Sequence, residues 1–88
     1  MNLKYKLEFS NQATKFIKKL KDKNLLHQFL QTFDILETNP YYGKFLQADL
    51  KGYHSVRVAG VYRVIYKVLH NKLLIYISDI AHRKDSYK

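Results

Sequence analysis

The chain has 88 residues, of which 16 are Lys or Arg and 7 are Asp or Glu, so its formal net charge is +9 with neutral histidines. This length predicts one domain over residues 1–88 and excludes a second catalytic domain. The absence of cysteine excludes disulfides, zinc–thiolate sites and thiol nucleophiles. No apolar run approaches the ~18 residues of a membrane span, so we expect a soluble cytoplasmic protein without a membrane partner. The positive charge favours a polyanionic partner, either a nucleic acid or an acidic protein.

The first half of the chain predicts one strand and two helices. Apolar and polar residues alternate from Leu3 to Phe9, which is the period of a half-buried strand. Ser10 is a suitable N-cap for a first helix, whose apolar positions recur at helical spacing as far as Leu20. After a short turn, a second amphipathic pattern covers residues 25–36, and Asn39-Pro40 should end it. These two helices are expected to form an αα-hairpin.

The second half returns to a period of two. Residues 40–52 contain a proline and two glycines and predict a loop, after which strands are expected over 53–58, 61–69 and 73–81. The predicted order is therefore β-α-α-β-β-β. This order indicates an α+β fold, in which an antiparallel sheet carries the αα-hairpin on one face and leaves its other face free for a site.

Alternation along the last strand predicts which of its residues share a face. Leu73, Ile75 and Ile77 should point one way. Leu74, Tyr76, Ser78 and Ile80 should point the other way.

All three arginines lie in the second half, at Arg57, Arg63 and Arg83. A guanidinium is a planar fork of donors that binds phosphate or carboxylate with two parallel bonds, so these side chains are the first candidates for a site. A three-residue connection between the strands would pair Arg57 with Arg63 on one face. A two-residue connection at Ala59-Gly60 would set Arg57 opposite Tyr62 and put Arg63 on the other face. Gly60 suits either turn.

Other polar side chains could assist or could be purely structural. Proton transfer needs a group that titrates near neutral pH, which favours His54 and His82, while Lys51 could contact substrate from the loop. Arg57 could instead form a surface ion pair with Asp79 or Asp49. The C-terminal residues could be a solvated tail. Histidines and carboxylates show no metal-ligand spacing and there is no glycine-rich phosphate loop, so no metal or cofactor is expected.

The second half resembles the RelE/ParE superfamily of bacterial and archaeal type II toxins. The resemblance is carried by four runs in the order that the family shows, which are LKGY at 50–53, VRVAG at 56–60, YRVIY at 62–66 and AHRKDSY at 81–87. It implies a microbial RNase fold and a metal-independent endoribonuclease that cuts mRNA, in the RelE branch within the ribosomal A site. The 2′-hydroxyl of the substrate would attack the adjacent phosphate. A RelB-like antitoxin, acidic or amphipathic, would be the protein partner.

The resemblance also implies residue roles. Arg63 would stabilise the pentacoordinate phosphate, Arg83 would lie near the leaving oxygen, and Tyr87 would orient the nucleophile or stack on a base. Arg57 occupies the place of a strand Lys or Arg linked to proton transfer. Substrate contacts are expected from the remaining basic residues of the motifs, which are Lys51, His54, His82 and Lys84. The chain departs from the RelE pattern at Ser55, where that type carries a further strand lysine.

Two other functions remain open at this point. One is a ParE-like toxin that inhibits DNA gyrase without nuclease chemistry. The other is a non-catalytic RNA-binding module that keeps only the scaffold.

Overall fold

The computed structural model describes residues 4–82, which contain two α-helices and five strands. In chain order these elements are β1 (Lys6–Phe9), α1 (Asn11–Lys19), α2 (Lys23–Thr38), β2 (Lys44–Phe45), β3 (Tyr53–Val58), β4 (Tyr62–Leu69) and β5 (Leu74–His82). Short 3₁₀ turns cover Ala48–Leu50 and His70–Lys72.

Side-chain caps fix where both helices begin. The Ser10 hydroxyl accepts a hydrogen bond from the Ala13 N–H at 3.1 Å, which satisfies one of the free donors in the first turn of α1. Asp22 caps α2 in the same way through the N–H groups of Asn24 and Leu25. Asn39 is the C-cap of α2, as the Asn39-Pro40 pair predicted. The predicted αα-hairpin is therefore confirmed.

The sheet has the strand order β1-β5-β4-β3-β2. The α+β class with the hairpin on one face is confirmed, and the structure adds two details to it. First, β1 pairs with β5 in parallel, so the sheet that the sequence predicted as antiparallel has one parallel pair at its edge. Second, the predicted loop contains the two-residue strand β2, which pairs with β3.

The core lies between the two helices and one face of the sheet. Phe29 and Leu36 of α2 and Ala13 of α1 are fully buried there. Phe16 of α1 and Phe29 both make edge-on ring contacts with Tyr62, which fastens the hairpin to β4. Because both helices cover this face, the opposite face of the sheet is left without a helix.

A β-bulge in β5 corrects the predicted faces of that strand. Tyr66 pairs with Ile77 and Ile65 pairs with Asp79, so Ser78 lies between two paired positions and shifts the alternation by one residue. Ile80 therefore lies on the core face and is fully buried, whereas strict alternation predicted the opposite face.

Polar side chains of the α1 region hold the bulge in place. The Ser10 hydroxyl donates to the Ser78 carbonyl at 2.7 Å. The Gln12 amide donates to the Ile80 carbonyl and accepts from the Ile80 N–H. Strict period-two alternation cannot foresee this, since the bonds join residues 68 positions apart.

Neither helix of the described part, residues 4–82, is long and apolar enough to cross a bilayer.

Candidate functional site

The connection between β3 and β4 decides where the two strand arginines lie. It has three residues, Ala59 to Val61, with the first two in the left-handed region at φ of 56° and 76°. Arg57 is therefore the Cα partner of Arg63, and both belong to the face that carries no helix. Of the two turn lengths that the sequence left open, the structure has the longer.

This arrangement puts two like charges directly opposite each other, which destabilises a sheet. Arg57 is exposed and Arg63 is half-buried. Within residues 4–82, neither guanidinium forms an ion pair or a side-chain hydrogen bond, so the alternative pairing of Arg57 with Asp79 or Asp49 is not formed. Two adjacent guanidiniums without a carboxylate leave a strong binding position for an anion.

The arginine pair borders a cavity of about 550 Å³ between the end of the β3–β4 hairpin and the start of β2. Lys44 is the Cα partner of Ser55, so it shares the face of Arg57 and adds a third cation to the cavity. Lining residues are Tyr42, Gly43, Lys44, Ser55, Val56, Arg57, Gly60, Tyr62 and Arg63.

Lys44 and Tyr42 are site residues that the sequence did not single out. Both lie in the segment predicted as a loop, whose pairing with β3 is not visible in a two-residue pattern. Gly43 between them is the available signal. A Cβ at this position would lie 2.5 Å from the Ser55 carbonyl oxygen, so the backbone approaches β3 closely only because residue 43 is glycine.

A buried tyrosine, Tyr66, anchors the segment around Gly43 through two hydrogen bonds. The Tyr66 hydroxyl donates to the Pro40 carbonyl and accepts from the Gly43 N–H, each at 2.9 Å. Burial raises the pKa of Tyr66, and the Gly43 hydrogen bond offsets part of that rise, so the phenol stays protonated and can keep donating. Tyr66 thereby sets the position from which Lys44 reaches the cavity.

His54 lies on the other side of the sheet. Its Cα partner is Tyr66, and its ring, which is only 4% exposed, stacks on the Tyr66 ring with centroids 5.3 Å apart. Phe45 and Tyr41 contact the same ring edge-on. Burial lowers the pKa of His54, and the nearby His70 lowers it further. The structure thus separates His54 from the arginine pair.

The remaining predicted site residues are distributed as follows. Lys51 is exposed in the turn before β3, at the opposite end of that strand from Arg57. His82 ends β5, is the Cα partner of Tyr62 and contacts its ring edge-on at 5.3 Å. Arg83, Lys84 and Tyr87 lie outside the described residues. The structure therefore brings together Arg57 and Arg63 from the predicted set and adds Lys44.

Over residues 4–82, no group of three or more His, Asp or Glu side chains could hold a metal ion. The chemistry available at the cavity is electrostatic: the side chains of Lys44, Arg57 and Arg63 can bind an anion and neutralise its charge.

Comparison with solved structures gives the class of the fold. A chain of the RelBE2 toxin–antitoxin complex from Mycobacterium tuberculosis is 28% identical, with a TM-score of 0.78 over 91% of this chain and 99% of that chain. A chain of the archaeal RelE–RelB complex from Pyrococcus horikoshii is also 28% identical, with a TM-score of 0.68 over 91% and 96%. The E. coli RelBE complex shares the fold at 20% identity and a TM-score of 0.73, over 89% and 95%. The fold is thus that of RelE-like toxins.

The family follows from the sequence. Residues 7–87 match the model of the ParE toxin of the type II toxin–antitoxin system, parDE. Because this match covers most of the chain, the protein belongs to that family and is a type II toxin of the RelE/ParE superfamily. The resemblance seen in the sequence is confirmed. No curated protein matches the chain in a sequence search.

Proposed function

We propose that this toxin is a metal-independent endoribonuclease that cleaves mRNA in the ribosomal A site. The observation that carries the proposal is the Arg57–Arg63 pair, two guanidiniums side by side on the helix-free face with no carboxylate to neutralise them. Such a pair destabilises the empty protein and is stabilised by a bound phosphate. A phosphodiester of single-stranded RNA fits an open cavity of about 550 Å³.

The reaction has the substrate's 2′-hydroxyl lose its proton and attack the adjacent phosphorus, which breaks the bond to the 5′-oxygen of the next nucleotide. That oxygen leaves and takes up one proton, so no proton is gained or lost overall. The products are a 2′,3′-cyclic phosphate and a free 5′-hydroxyl. Charge accumulates on the phosphorane oxygens, which Arg63 and Arg57 neutralise. We assign Arg57 to this role rather than to proton transfer, because a guanidinium stays protonated in proteins.

Lys44 supports the same assignment. The RelE pattern has a strand lysine where this chain has Ser55, and Lys44 is the Cα partner of Ser55 on the neighbouring strand. A lysine from β2 therefore supplies a cation beside the position where the pattern has one.

The C-terminal motif completes the proposed site. Arg83 follows His82, the last residue of β5, which neighbours the Arg63 strand. We assign Arg83 to the leaving oxygen and Tyr87 to the nucleophile or a base, with His82 and Lys84 as RNA contacts. Lys51 would contact RNA farther along β3. His54 is left out of the proposed site because it packs on the helix-side face.

The partner and location follow from the same proposal. The M. tuberculosis structure is a toxin–antitoxin complex, and the P. horikoshii structure is a RelE–RelB complex. A chain of net charge +9 suits an acidic or amphipathic RelB-like antitoxin, and a toxin acting on ribosomes works in the cytoplasm.

Expression in cells tests the proposal. Induced wild-type toxin should arrest growth and create new mRNA 5′ ends at codon-related positions. Arg63→Ala and Arg57→Ala should each lower cleavage by about 10²- to 10³-fold, the usual cost of losing one donor to a transition-state oxyanion. Lys23→Ala removes the same charge from the exposed first residue of α2 and should cleave like wild type. Equal cleavage by all four proteins would sink the assigned site.

A ParE-like gyrase inhibitor is the second candidate, and the match of residues 7–87 to the ParE toxin family favours it. It predicts growth arrest with DNA damage signalling and without new mRNA ends. Purified toxin would then inhibit DNA supercoiling by gyrase and leave RNA intact. RNA binding without cleavage and without gyrase inhibition would indicate the non-catalytic module.

A further inference from the structure

A second group of aromatic and basic side chains shares the helix-free face with the arginine pair. Tyr53 is the Cα partner of Lys67, and Lys67 is the Cα partner of Tyr76, so the three residues cross β3, β4 and β5 in one row. On β3 and β4 the row lies four residues from Arg57 and Arg63, an even number that keeps both groups on the same face. We call these three residues the Tyr53–Lys67–Tyr76 row.

The row is accessible to solvent, and one contact within it holds Lys67 against Tyr53. Lys67 is exposed and both tyrosines are half-buried. The Lys67 ammonium lies 5.5 Å from the centroid of the Tyr53 ring, a cation–π contact that holds the charge above the sheet. A spacing of four strand residues separates the row from the arginine pair by about 13 Å. A few nucleotides bridge such a distance.

Acidic residues on this face restrict the path between the two groups. Glu8 is the Cα partner of Tyr76, and Asp79 is the Cα partner of Ile65, so both carboxylates lie on the β1 and β5 side. A phosphate backbone is repelled there. The favourable path runs over β3 and β4, from the arginine pair past Ser55 and Ile65 to Lys67.

We propose that the Tyr53–Lys67–Tyr76 row is a second RNA subsite, which binds single-stranded RNA a few nucleotides from the phosphate at Arg57 and Arg63. The inference rests on the proposed function and deepens it. Lys67, held over the Tyr53 ring, binds a backbone phosphate. The Tyr76 ring stacks on a base without selecting one, because every base has a π face. The subsite determines the length of RNA that the toxin binds, and it takes no part in the cleavage reaction.

Binding to uncleavable RNA tests the subsite. The probes are a 2′-O-methyl dinucleotide, whose single phosphate can occupy only one subsite, and a 2′-O-methyl decamer; both lack the attacking hydroxyl. Wild-type toxin should bind the decamer more tightly than the dinucleotide. Tyr76→Leu should weaken decamer binding by about 5-fold or more, the lower end of the effect of losing one stacking side chain. Lys67→Ala should also weaken decamer binding, because it removes one phosphate contact. Both variants should leave dinucleotide binding unchanged.

Matched variants separate binding from folding. Lys67→Arg and Tyr76→Phe keep the charge and the ring and should bind the decamer like wild type. Lys23→Ala should also bind like wild type, although it loses one positive charge. The slope of log Kd against log salt for the decamer should fall by about 0.7 in Lys67→Ala, the contribution of one phosphate contact on a single strand.

The outcomes distinguish the two proposals. If wild-type toxin prefers the decamer and Lys67→Ala behaves like Lys23→Ala, the subsite is overturned while the nuclease proposal stands. If wild-type toxin binds neither probe, the subsite is overturned, and the nuclease proposal is then decided separately by the cleavage of ribosome-bound mRNA. Equal loss on both probes in Lys67→Ala would also overturn the subsite, because it would indicate general damage to the sheet.

Discussion

In the proposed site, the side chains around the cavity divide into those assigned to bind the phosphate and those that hold these binding residues in place. Arg57 and Arg63 carry the positive charge, while Tyr66 lies in the core and acts through its hydroxyl. This division makes separate predictions for stability and for activity.

The arginine pair should cost stability in the absence of RNA. Arg57→Gln keeps a polar side chain with the same first three carbons and removes the repulsion with Arg63. We expect its free energy of unfolding to rise by about 0.2–1 kcal/mol at low salt, the range for a cross-strand pair. Urea titration measures this, and added salt should shrink the difference because it screens the repulsion. A less stable Arg57→Gln protein would show that Arg57 has a stabilising partner.

The Tyr66 hydroxyl should matter for stability and for the site together. Tyr66→Phe leaves the Pro40 carbonyl and the Gly43 N–H without their partner. We expect a loss of about 1–3 kcal/mol in the free energy of unfolding, the penalty for unsatisfied buried groups. RNA cleavage should fall as well, because the segment that carries Lys44 loses its anchor. For stability alone, the control is Tyr53→Phe, which removes a hydroxyl from a half-buried ring, and equal stability of the two variants would contradict the anchor.

His54 predicts how stability depends on pH. Its pKa in the folded protein is below the ordinary 6.5, chiefly because of burial and further because of His70. The unfolded chain therefore binds a proton more readily, so the stability is full above pH 6.5 and is lost as the pH falls toward the folded pKa.

His54→Leu should remove this part of the pH dependence. Unfolding free energies between pH 8 and pH 5 should fall less steeply with acid in the variant than in wild type. The same slope in both proteins would show that His54 is not the group responsible.

At the level of the elements, the β3–β4 connection controls the site. Its three residues bring Arg57 opposite Arg63, and a connection one residue shorter would put the two guanidiniums on opposite faces. The turn needs two residues with positive φ, and the first of them is an alanine.

Ala59 is the strained member of this turn. Its φ of 56° is unfavourable for a residue with a Cβ, and glycine adopts it freely. Ala59→Gly should raise the free energy of unfolding by up to about 1 kcal/mol, since relief of strain exceeds the added entropy of the unfolded chain. Gly60→Ala, with φ of 76°, should change it in the opposite direction. Thermal unfolding of both variants checks the signs, and a destabilised Ala59→Gly would mean that the turn is not as described.

Local signals in the sequence predicted the helices well, because caps such as Ser10 and breakers such as Pro40 act on neighbouring residues. The parallel β1–β5 pair and the bulge at Ser78 depend on bonds between distant residues, so periodicity could not reveal them. The arginine pair was partly predictable. The alternating pattern placed each arginine on a strand, but the length of the turn, which the sequence left open, decided whether they share a face.

For the candidate site residues, too, local sequence patterns did not reveal what depends on pairing between distant residues. The arginines were proposed from their chemistry and stay a prediction, and Lys44 was not proposed because its place at the cavity comes from pairing with β3. His54 was a reasonable candidate by chemistry, yet its position in the β3 alternation puts it on the face that packs against Phe45 and Tyr66.

Across the whole molecule, the two faces of the sheet differ: one forms the hydrophobic core and the other carries the candidate site. The αα-hairpin covers one face of the sheet and builds the core, while the other face presents the arginine pair, Lys44 and the Tyr53–Lys67–Tyr76 row. In the proposed function, the net charge of +9 attracts a polyanion to the chain in general, and the geometry of the helix-free face determines where its phosphates would bind.

The central proposal is that the toxin cleaves mRNA without a metal, with the arginine pair on the helix-free face stabilising the phosphate. The most direct measurement adds purified toxin to ribosome-bound mRNA in the presence of a metal chelator at a level that leaves the ribosomes intact, and identifies the product ends. We predict 2′,3′-cyclic phosphate and 5′-hydroxyl ends, formed about 10²- to 10³-fold more slowly by Arg63→Ala and at the wild-type rate by Lys23→Ala. Intact mRNA with wild-type toxin, or cleavage by Arg63→Ala at the wild-type rate, would contradict the claim.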